Sequence, residues 1–560
     1  AHLRLGKYEE AAAELARAAE EYPVLRDYAL FHRAEALHRG GRSAEALPLL
    51  KSFLSAYPDS LLARKGALLL ADTQASTGET AAALESYRRF VETYASGSDA
   101  LSAALRGAEC LEKLGRREDA AREYRRLWLS HPASPVSARA EENLRRLYAA
   151  GLPEEPPTPE ELLRRGGIQY DMKQYEAALK TFSSIPAEGG GEEFARRLGL
   201  RKGQAQFRLR RYADAEHTFA LLVEGAPEGE RGELRYWLAK AQDKTGKPEE
   251  ALASYLAAAR DTRSQLADDA LLEGALIHKF QERYAEELKL LGEHLERFPK
   301  SELRSRVLWE AGWGSYMSGD HPRAASFFGR LTADDQFADR ALYWLGKSLA
   351  AAGDREGSAA AYQRLLRRAP YGYYASRYRK QAGLPQQPAR VTDRDLLQAL
   401  PLPAGMERVK ALVALGMKEE AAEELGQLRR KLKPSDRKGL AGIARMYLEL
   451  GDHNGAMKLV KETPASIDPD SEHLWKLAYP RPFREAVSRN AARNRLPEPL
   501  VYSLMKAESS FSPTALSPVG AVGLMQLMPS TARAVAAAEK DHFEVSRLKV
   551  PEVNIRYGTR

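Results

Sequence analysis

A glutamate near the end of the chain is the first candidate for chemistry. Pro497 and Pro499 favour the first turn of a helix, where a missing N–H costs least. The helix then carries a stripe at i, i+3, i+4 and i+7 made of Val501, Leu504, Met505 and Glu508. A carboxyl on a buried face is costly to ionise, so we expect the pKa of Glu508 to be raised, as a general acid requires. The alternative is a glutamate near a helix end that reaches solvent.

The residues that follow Glu508 form a dense motif. Residues 508–532 read ESSFSPTALSPVGAVGLMQLMPSTA, with an ES pair, an aromatic residue, then GAxGLMQ and an apolar-Met-Pro step. This run resembles the catalytic signature of the soluble lytic murein transglycosylase family, whose catalytic domain has a goose-type lysozyme-like fold. The resemblance implies that Glu508 is the acid and base of the reaction. It is sharp only over residues 495–560 but extends back to about residue 300.

The resemblance also implies which side chains contact the saccharide. Ser517, Gln526 and Met528 are expected at the cleft, and Asn554 of the NIRYGT block is expected to line it. Each has an alternative: Ser517 could cap a turn before Pro518, Gln526 could be a surface amide, and Met528 could lie in the core. Gly520 and Gly523 are expected to serve the backbone of a turn.

Most glycosidases place two carboxyl groups beside the scissile bond. The candidates for a second carboxyl group lie in segments without a supporting motif: Glu539, Asp541, Glu544 and Glu552. The resemblance implies a route with one carboxyl group, which cleaves between N-acetylmuramic acid and N-acetylglucosamine and leaves a 1,6-anhydro product. Two alternatives stay open, a non-catalytic envelope scaffold that binds proteins through its repeats and a hydrolytic lysozyme.

Most of the chain before this motif is repetitive. LGKYEEAA, GGRSAEAL, TGETAAAL and LGRREDAA recur with Gly6, Gly41, Gly78 and Gly115 at steps of 35, 37 and 37 residues, and further copies continue to GDHNGAM at Gly451. The period resembles tetratricopeptide repeats of two helices each. We therefore predict an all-α protein, a superhelical solenoid followed by a lysozyme-like, mainly helical domain.

The breaks in the pattern predict four parts. Tetratricopeptide-like repeats occupy residues 1–150, a second repeat block occupies 161–383, helical linker repeats occupy 394–470, and the transglycosylase domain occupies 474–560. Segments rich in Pro or Gly separate them at Gly151–Glu160 and Gly383–Asp393, with a smaller break at Pro186–Glu193. The family's later tyrosine block does not occur in this sequence, and Ala1 begins within a helical pattern. We therefore expect a fragment with an incomplete catalytic domain and no signal peptide.

Composition limits the remaining classes of function. The chain has 560 residues, 44% hydrophobic residues, a net charge of +8 and a single cysteine, Cys110. No apolar run approaches the roughly 18 residues that cross a bilayer. No HExxH helix, phosphate loop or nucleic-acid module is recognisable, so we expect no metal, no cofactor and no nucleic acid. The expected partners are peptidoglycan strands and, through the repeats, envelope proteins, which would place the protein in the periplasm or cell envelope.

Overall fold

The computed structural model describes residues 2–186, 191–261, 264–370, 372–385, 402–433, 436–461 and 479–560. In these ranges all regular secondary structure is helical. The only strand-like pairing described is a pair of isolated bridges at Val522. The predicted all-α fold is therefore confirmed. The chain divides into two compact units, Ala1–Ala19 with Asp27–Gln386, and Glu20–Arg26 with Gln387–Arg560.

The first unit is a succession of helices in which neighbours along the chain pack on each other. The helices are α1 (Tyr8–Glu21), α2 (Arg26–Arg39), α3 (Ser43–Ala56), α4 (Ala63–Ser76), α5 (Thr80–Thr93), α6 (Ser98–Lys113), α7 (Arg117–Ser130), α8 (Pro135–Ala149), α9 (Pro159–Asp171), α10 (Tyr175–Ser183), α11 (Gly191–Arg208), α12 (Tyr212–Gly225), α13 (Arg231–Lys244), α14 (Pro248–Arg260), α15 (Ala267–Phe280), α16 (Tyr284–Arg297), α17 (Arg304–Met317), α18 (His321–Arg330), α19 (Ala338–Ala351), α20 (Arg355–Arg368) and α21 (Tyr373–Gln381).

The turn between the two helices of a repeat needs a left-handed residue. Gly41 and Gly78 provide it with φ of 79° and 84°. In repeats that lack the glycine, Lys173, Arg210 and Glu282 adopt the same conformation, with φ of 62°, 60° and 58°. The turn geometry is thus retained where the sequence signal for it is lost, at a cost of about 1 kcal/mol for each non-glycine residue.

A second glycine sets how closely the two helices of a repeat approach. The ring of a residue 16 positions later lies directly over it, and a Cβ atom on the glycine would come within 2.4–2.7 Å of that ring. The pairs are Gly166 with Phe182, Gly203 with Phe219, Gly312 with Phe328, and Gly346 with Tyr362. The three phenylalanines are fully buried. The sequence analysis did not identify these glycines.

Ion pairs about one period apart connect successive repeats. Arg146 pairs with Glu112 at 2.6 Å, and Lys247 pairs with Glu216 at 2.7 Å. Arg125 pairs with Glu161 at 2.6 Å, and its hydrogen bonds hold the pKa of that carboxyl at about 2. This last pair spans the predicted joint at Gly151–Glu160, so the two sides of that joint are tied together.

The second unit contains the remaining helices. They are α22 (Glu407–Ala414), α23 (Lys418–Lys431), α24 (Arg437–Glu449), α25 (His453–Lys461), α26 (Arg484–Arg493), α27 (Glu498–Ser509), α28 (Pro529–Ala538) and α29 (Pro551–Gly558). The predicted breaks at Pro186–Glu193 and Gly383–Asp393 fall partly outside the described residues, as does the predicted domain start at 474. The division into four domains stays a prediction.

Helix α16 carries a carboxyl group in an unusual environment. Glu287 is fully buried, and neither of its carboxyl oxygens has a hydrogen-bond partner among the described residues. Burial raises its pKa to about 7; nearby Glu310 adds to this effect, whereas Lys279 opposes it. The carboxyl oxygen Oε2 also occupies the space beside Gly314, where a Cβ atom would lie 2.8 Å from it.

We predict that replacing Gly312 by alanine lowers the free energy of unfolding by about 1–3 kcal/mol, because the added methyl overlaps the Phe328 ring. Chemical denaturation of the purified chain measures this. Gly329 is the matched control in the partner helix α18, since a Cβ there meets nothing within 4 Å. Equal effects of Gly312→Ala and Gly329→Ala would contradict the proposed role of the close contact.

Glu287 predicts a pH dependence of stability. The folded chain holds this proton up to about pH 7, whereas the unfolded chain releases it near 4.5. Stability from this group is therefore fully present below pH 4.5 and is lost as pH rises through 7, by on the order of 3 kcal/mol. Glu287→Gln should flatten this part of the profile, and the exposed neighbour Glu286→Gln should not. An unchanged profile in Glu287→Gln would refute the assignment.

Candidate active site

Helix α27 leaves Glu508 exposed rather than buried. The helix buries Val501, Tyr502 and Met505, whereas Glu508 is exposed and Leu504 is 39% exposed. At 100° per residue, the buried face is centred on the side of Tyr502 and Met505, and positions 504 and 508 stand at its edge. The predicted burial of Glu508 was wrong, and the alternative that it reaches solvent is what the structure shows.

The chain turns sharply directly after Glu508. Ser510 and Phe511 both have left-handed backbones, with φ of 51° and 65°, and the Phe511 ring returns to the core beside Tyr502. The hydroxyl of Ser509 donates a hydrogen bond to the carbonyl of Leu524 at 2.7 Å. The ES pair therefore combines an exposed carboxyl with an anchor that fixes the following loop to the same helix end. The sequence analysis did not identify Ser509 as that anchor.

The anchored loop spans residues 515–527 and is held by hydrogen bonds between its own backbone groups. Gly523 donates its N–H to the carbonyl of Ala515 at 2.8 Å, and Val522 bridges to both Leu516 and Leu527. Gln526 has a left-handed backbone with φ of 47°, and its Nε2 donates to the carbonyl of Gly523 at 3.0 Å. The amide nitrogen of Gln526 is thus used within the loop, and its side chain is partly exposed.

Two other predicted contact residues lie at the ends of turns. The Ser517 hydroxyl oxygen accepts a hydrogen bond from the N–H of Ala521 at 2.9 Å, closing the turn that contains Gly520. This geometry matches the turn-capping alternative for Ser517. Met528 immediately precedes α28 and is 39% exposed, so its thioether is available on the surface.

Asn554 occupies a position different from the one predicted. It is fully buried, its Oδ1 accepts from the N–H of Met525 at 2.8 Å, and its Nδ2 donates to the carbonyls of Val522 and Leu548 at 3.0 and 2.8 Å. A side chain with no exposed surface cannot line a cleft, so this prediction was wrong. Asn554 instead holds the loop, and a Cβ on Gly523 would lie 2.3 Å from Nδ2, which requires a glycine there.

Most of the candidates for a second carboxyl group make structural contacts. Asp541 accepts from the Tyr557 hydroxyl at 2.7 Å and pairs with Arg547 and Arg556, and these contacts hold the pKa of Asp541 well below its usual range. These bonds fix Asp541 to α29, the helix that carries Asn554.

Glu539 and Glu544 are engaged in the same way. The Glu539 side chain is only 8% exposed and lies 3.6–3.7 Å from three arginines, Arg493, Arg556 and Arg560. Glu544 accepts from Ser546 and lies 3.0 Å from His542. Hydrogen bonds to His542 and Ser546 lower the pKa of Glu544.

The described residues contain no group of three or more His, Cys, Asp or Glu side chains that could hold a metal ion. Within the same ranges, no helix is both long and apolar enough to cross a membrane.

Two kinds of known protein family match this chain. Residues 485–560 match the family described as the transglycosylase SLT domain. Tetratricopeptide repeat families match residues 1–60, 102–134, 200–270 and 315–373. The resemblance drawn from the motifs is confirmed: the chain joins tetratricopeptide repeats to a transglycosylase SLT domain.

Individual relatives match parts of this chain. A soluble lytic murein transglycosylase of Escherichia coli K12 is 31% identical over 90 residues, and one of Salmonella typhimurium is 24% identical over 250 residues. These alignments cover 16% and 43% of this chain and span only 14% and 36% of those proteins.

Solved structures share the fold. An inactive mutant of the lytic transglycosylase Slt from Pseudomonas aeruginosa aligns with a TM-score of 0.54 at 20% identity. The 70 kDa soluble lytic transglycosylase of Escherichia coli aligns with a TM-score of 0.56 at 16% identity. Each alignment covers 99% of this chain and 85% of that structure, which shows a common fold.

We predict that Asn554→Asp loosens the loop. A carboxylate cannot donate to the carbonyls of Val522 and Leu548, so the buried charge should lower the stability of this domain by about 3 kcal/mol or more. Amide hydrogen exchange at Met525 measures the loosening directly, and it should be markedly faster in the variant. Glu552→Gln, at an exposed position of the same helix, should leave this exchange unchanged. Slow exchange at Met525 in Asn554→Asp would disprove the anchoring role.

Proposed function

We propose that this chain acts as a lytic murein transglycosylase that cleaves the β-1,4 bond between N-acetylmuramic acid and N-acetylglucosamine. The observation that carries the proposal is the position of Glu508, which is exposed at the end of α27 while Ser509 binds the next loop to that end. The match of residues 485–560 to the SLT domain and the names of the relatives support the same activity.

Glu508 would first act as an acid. Its protonated carboxyl donates a proton to the glycosidic oxygen, the bond from that oxygen to C1 of the muramic acid breaks, and positive charge develops at C1. The N-acetyl group of the substrate stabilises that charge. An exposed carboxyl suits this step, because a glycan strand must reach it from solvent. The other acidic residues with described partners, Asp541 and Glu539, are already bound to arginines.

Glu508 would then act as a base. The ionised carboxylate accepts the proton of the muramoyl O6 hydroxyl, whose oxygen forms the new bond to C1 and closes a 1,6-anhydro ring. No water is added, so the reaction is an intramolecular substitution at C1, and the enzyme is classed as a lyase. The inactive mutant of the Pseudomonas aeruginosa relative carries glutamine in place of a glutamate, which supports an essential glutamate in this reaction.

The loop would position the sugar. The Nε2 atom of Gln526 is bound within the loop, so Oε1 is the atom that would accept from a sugar hydroxyl. Met528 offers an exposed apolar contact, and Ser517 lies at the edge of the loop. Asn554 acts through the loop rather than on the sugar, which makes it a positioning residue.

The substrate implies the location. Murein lies outside the cytoplasmic membrane, so we place the protein in the periplasm or cell envelope. The repeats of the first unit would bind peptidoglycan or envelope proteins, as solenoid repeats generally bind other chains.

We predict that Glu508→Gln lowers the rate of murein cleavage by at least about 100-fold, because glutamine can neither donate nor accept the proton. Mass spectrometry of murein digested by the purified protein provides the readout. The unchanged protein should release 1,6-anhydro products. Glu498→Gln, at the partly exposed first position of the same helix, should release them at the normal rate.

Two results would overturn the proposal. Products with reducing ends would identify a hydrolytic lysozyme with a second carboxyl group. No product from either the unchanged protein or Glu498→Gln would favour a scaffold that grips murein without cleaving it.

A further inference from the structure

A cleft in the first unit lies far along the sequence from the candidate active site. It has a volume of about 590 Å³ and is formed by three helices, α9, α11 and α13, which begin three successive repeats. Leu163, Ile168 and Leu200 give it an apolar lining, and a Cβ on Gly167 would meet nothing within 4 Å, so the cleft is open at that point. A volume of this size suits a small ligand or a short peptide.

The arginines around the cleft fall into two groups. Arg165 stacks on the Trp128 ring and bonds its carbonyl, Arg196 pairs with Glu230 at 2.8 Å, and Arg197 pairs with Glu160 at 2.9 Å. Arg164 and Arg201, in contrast, have no acidic partner among the described residues, although both are exposed in the cleft. Arg201 makes only a 3.3 Å hydrogen bond to Gln204 and a ring contact with Tyr170.

These two arginines occupy the same place in consecutive repeats. They are 37 residues apart, one repeat period, on adjacent helices. Neighbouring helices pack with axes about 8–10 Å apart, so both guanidinium groups can reach one ligand. A guanidinium binds a carboxylate with two parallel hydrogen bonds, which makes a carboxylate the fitting group.

Acidic residues lie on both sides of this arginine pair. Asp171, the last residue of α9, follows Arg164 by two helical turns, about 10 Å along the axis, whereas Glu233 lies near the start of α13. Neither carboxylate has a cationic partner in the part of the chain that the structure describes. A purely anionic ligand such as a nucleic acid would be repelled there. The cleft therefore favours a short ligand that carries both a carboxylate and an amine, with the amine beside Asp171.

We propose that this cleft binds the peptide arms of murein, with carboxylates held by Arg164 and Arg201 and the amine of a diamino acid held by Asp171. These arms are short peptides that carry both groups. The proposal rests on the proposed function for its choice of substrate, and it adds a second contact with murein, through its peptides rather than its sugars. Such a contact would keep the repeats on the substrate while the glycan strand is cleaved.

Isothermal titration of the full chain with a sugar-free murein tetrapeptide containing a diamino acid tests the proposal. The titration is done in the Glu508→Gln background, so that binding is measured without any cleavage. We expect the double variant Arg164→Gln with Arg201→Gln to raise the Kd at least tenfold. Both side chains are exposed and make no ion pair in the described structure, so these changes should leave the fold intact, which circular dichroism checks.

The matched control is Arg17→Gln with Arg355→Gln, two exposed arginines outside the cleft that have no acidic partner among the described residues. This control should bind the peptide normally. Acetylation of the peptide's amines should also weaken binding, because Asp171 then loses its partner. Peptide-free glycan strands should bind equally to the double variant and the control, since they would use the catalytic domain.

Three outcomes would overturn the proposal. They are no binding of the tetrapeptide, equal binding by the double variant and the control, and stronger binding of a glutamate-rich peptide that lacks amines. The last would assign the cleft to an acidic segment of a protein partner. Because none of these measurements depends on turnover, a failure of peptide binding leaves the cleavage assay at Glu508 to be judged separately.

Discussion

The buried amide of Asn554 is the contact on which the geometry of the candidate site depends. Three backbone groups of the described structure, the N–H of Met525 and the carbonyls of Val522 and Leu548, are satisfied by this one side chain. An unsatisfied buried polar group costs about 1–3 kcal/mol, so the loop has a strong preference for this position. Ser509 fixes the other side of the loop to the end of α27. Glu508 is therefore exposed on a support that does not move freely.

The repeats depend on a different constraint: the residue beneath each buried aromatic ring must have no side chain. Where Phe182, Phe219 or Phe328 crosses to the preceding helix, the position beneath the ring is glycine, and a single methyl there would overlap it. Glycine is normally unfavourable within a helix by about 1 kcal/mol. The close approach of the helices offsets that cost, because each ring becomes fully buried.

The sequence predicted those features that depend only on residues close to one another in the chain. The period of the glycine turns predicted the helix pairs. The left-handed backbones at Arg210 and Glu282 show that the same turn forms in repeats that lack the glycine. The chain of residues 508–532 led to the SLT domain. What could not be read was which face of α27 is buried, since Val501 and Met505 fit the stripe whereas Leu504 does not. That choice depends on the neighbouring segments, which a periodicity does not contain.

The same limit explains the roles within the motif. A motif shows that certain residue types are needed at certain positions. It does not show whether a residue is needed for the reaction or for holding the backbone. Asn554 and Ser517 use their polar atoms on backbone groups, and Gln526 uses its nitrogen in that way. Glu508 is the residue of this set whose carboxyl is left exposed to solvent. A dense signature around one carboxyl is therefore what a reaction with a single acid and base would require, since the remaining residues are needed to hold it in place.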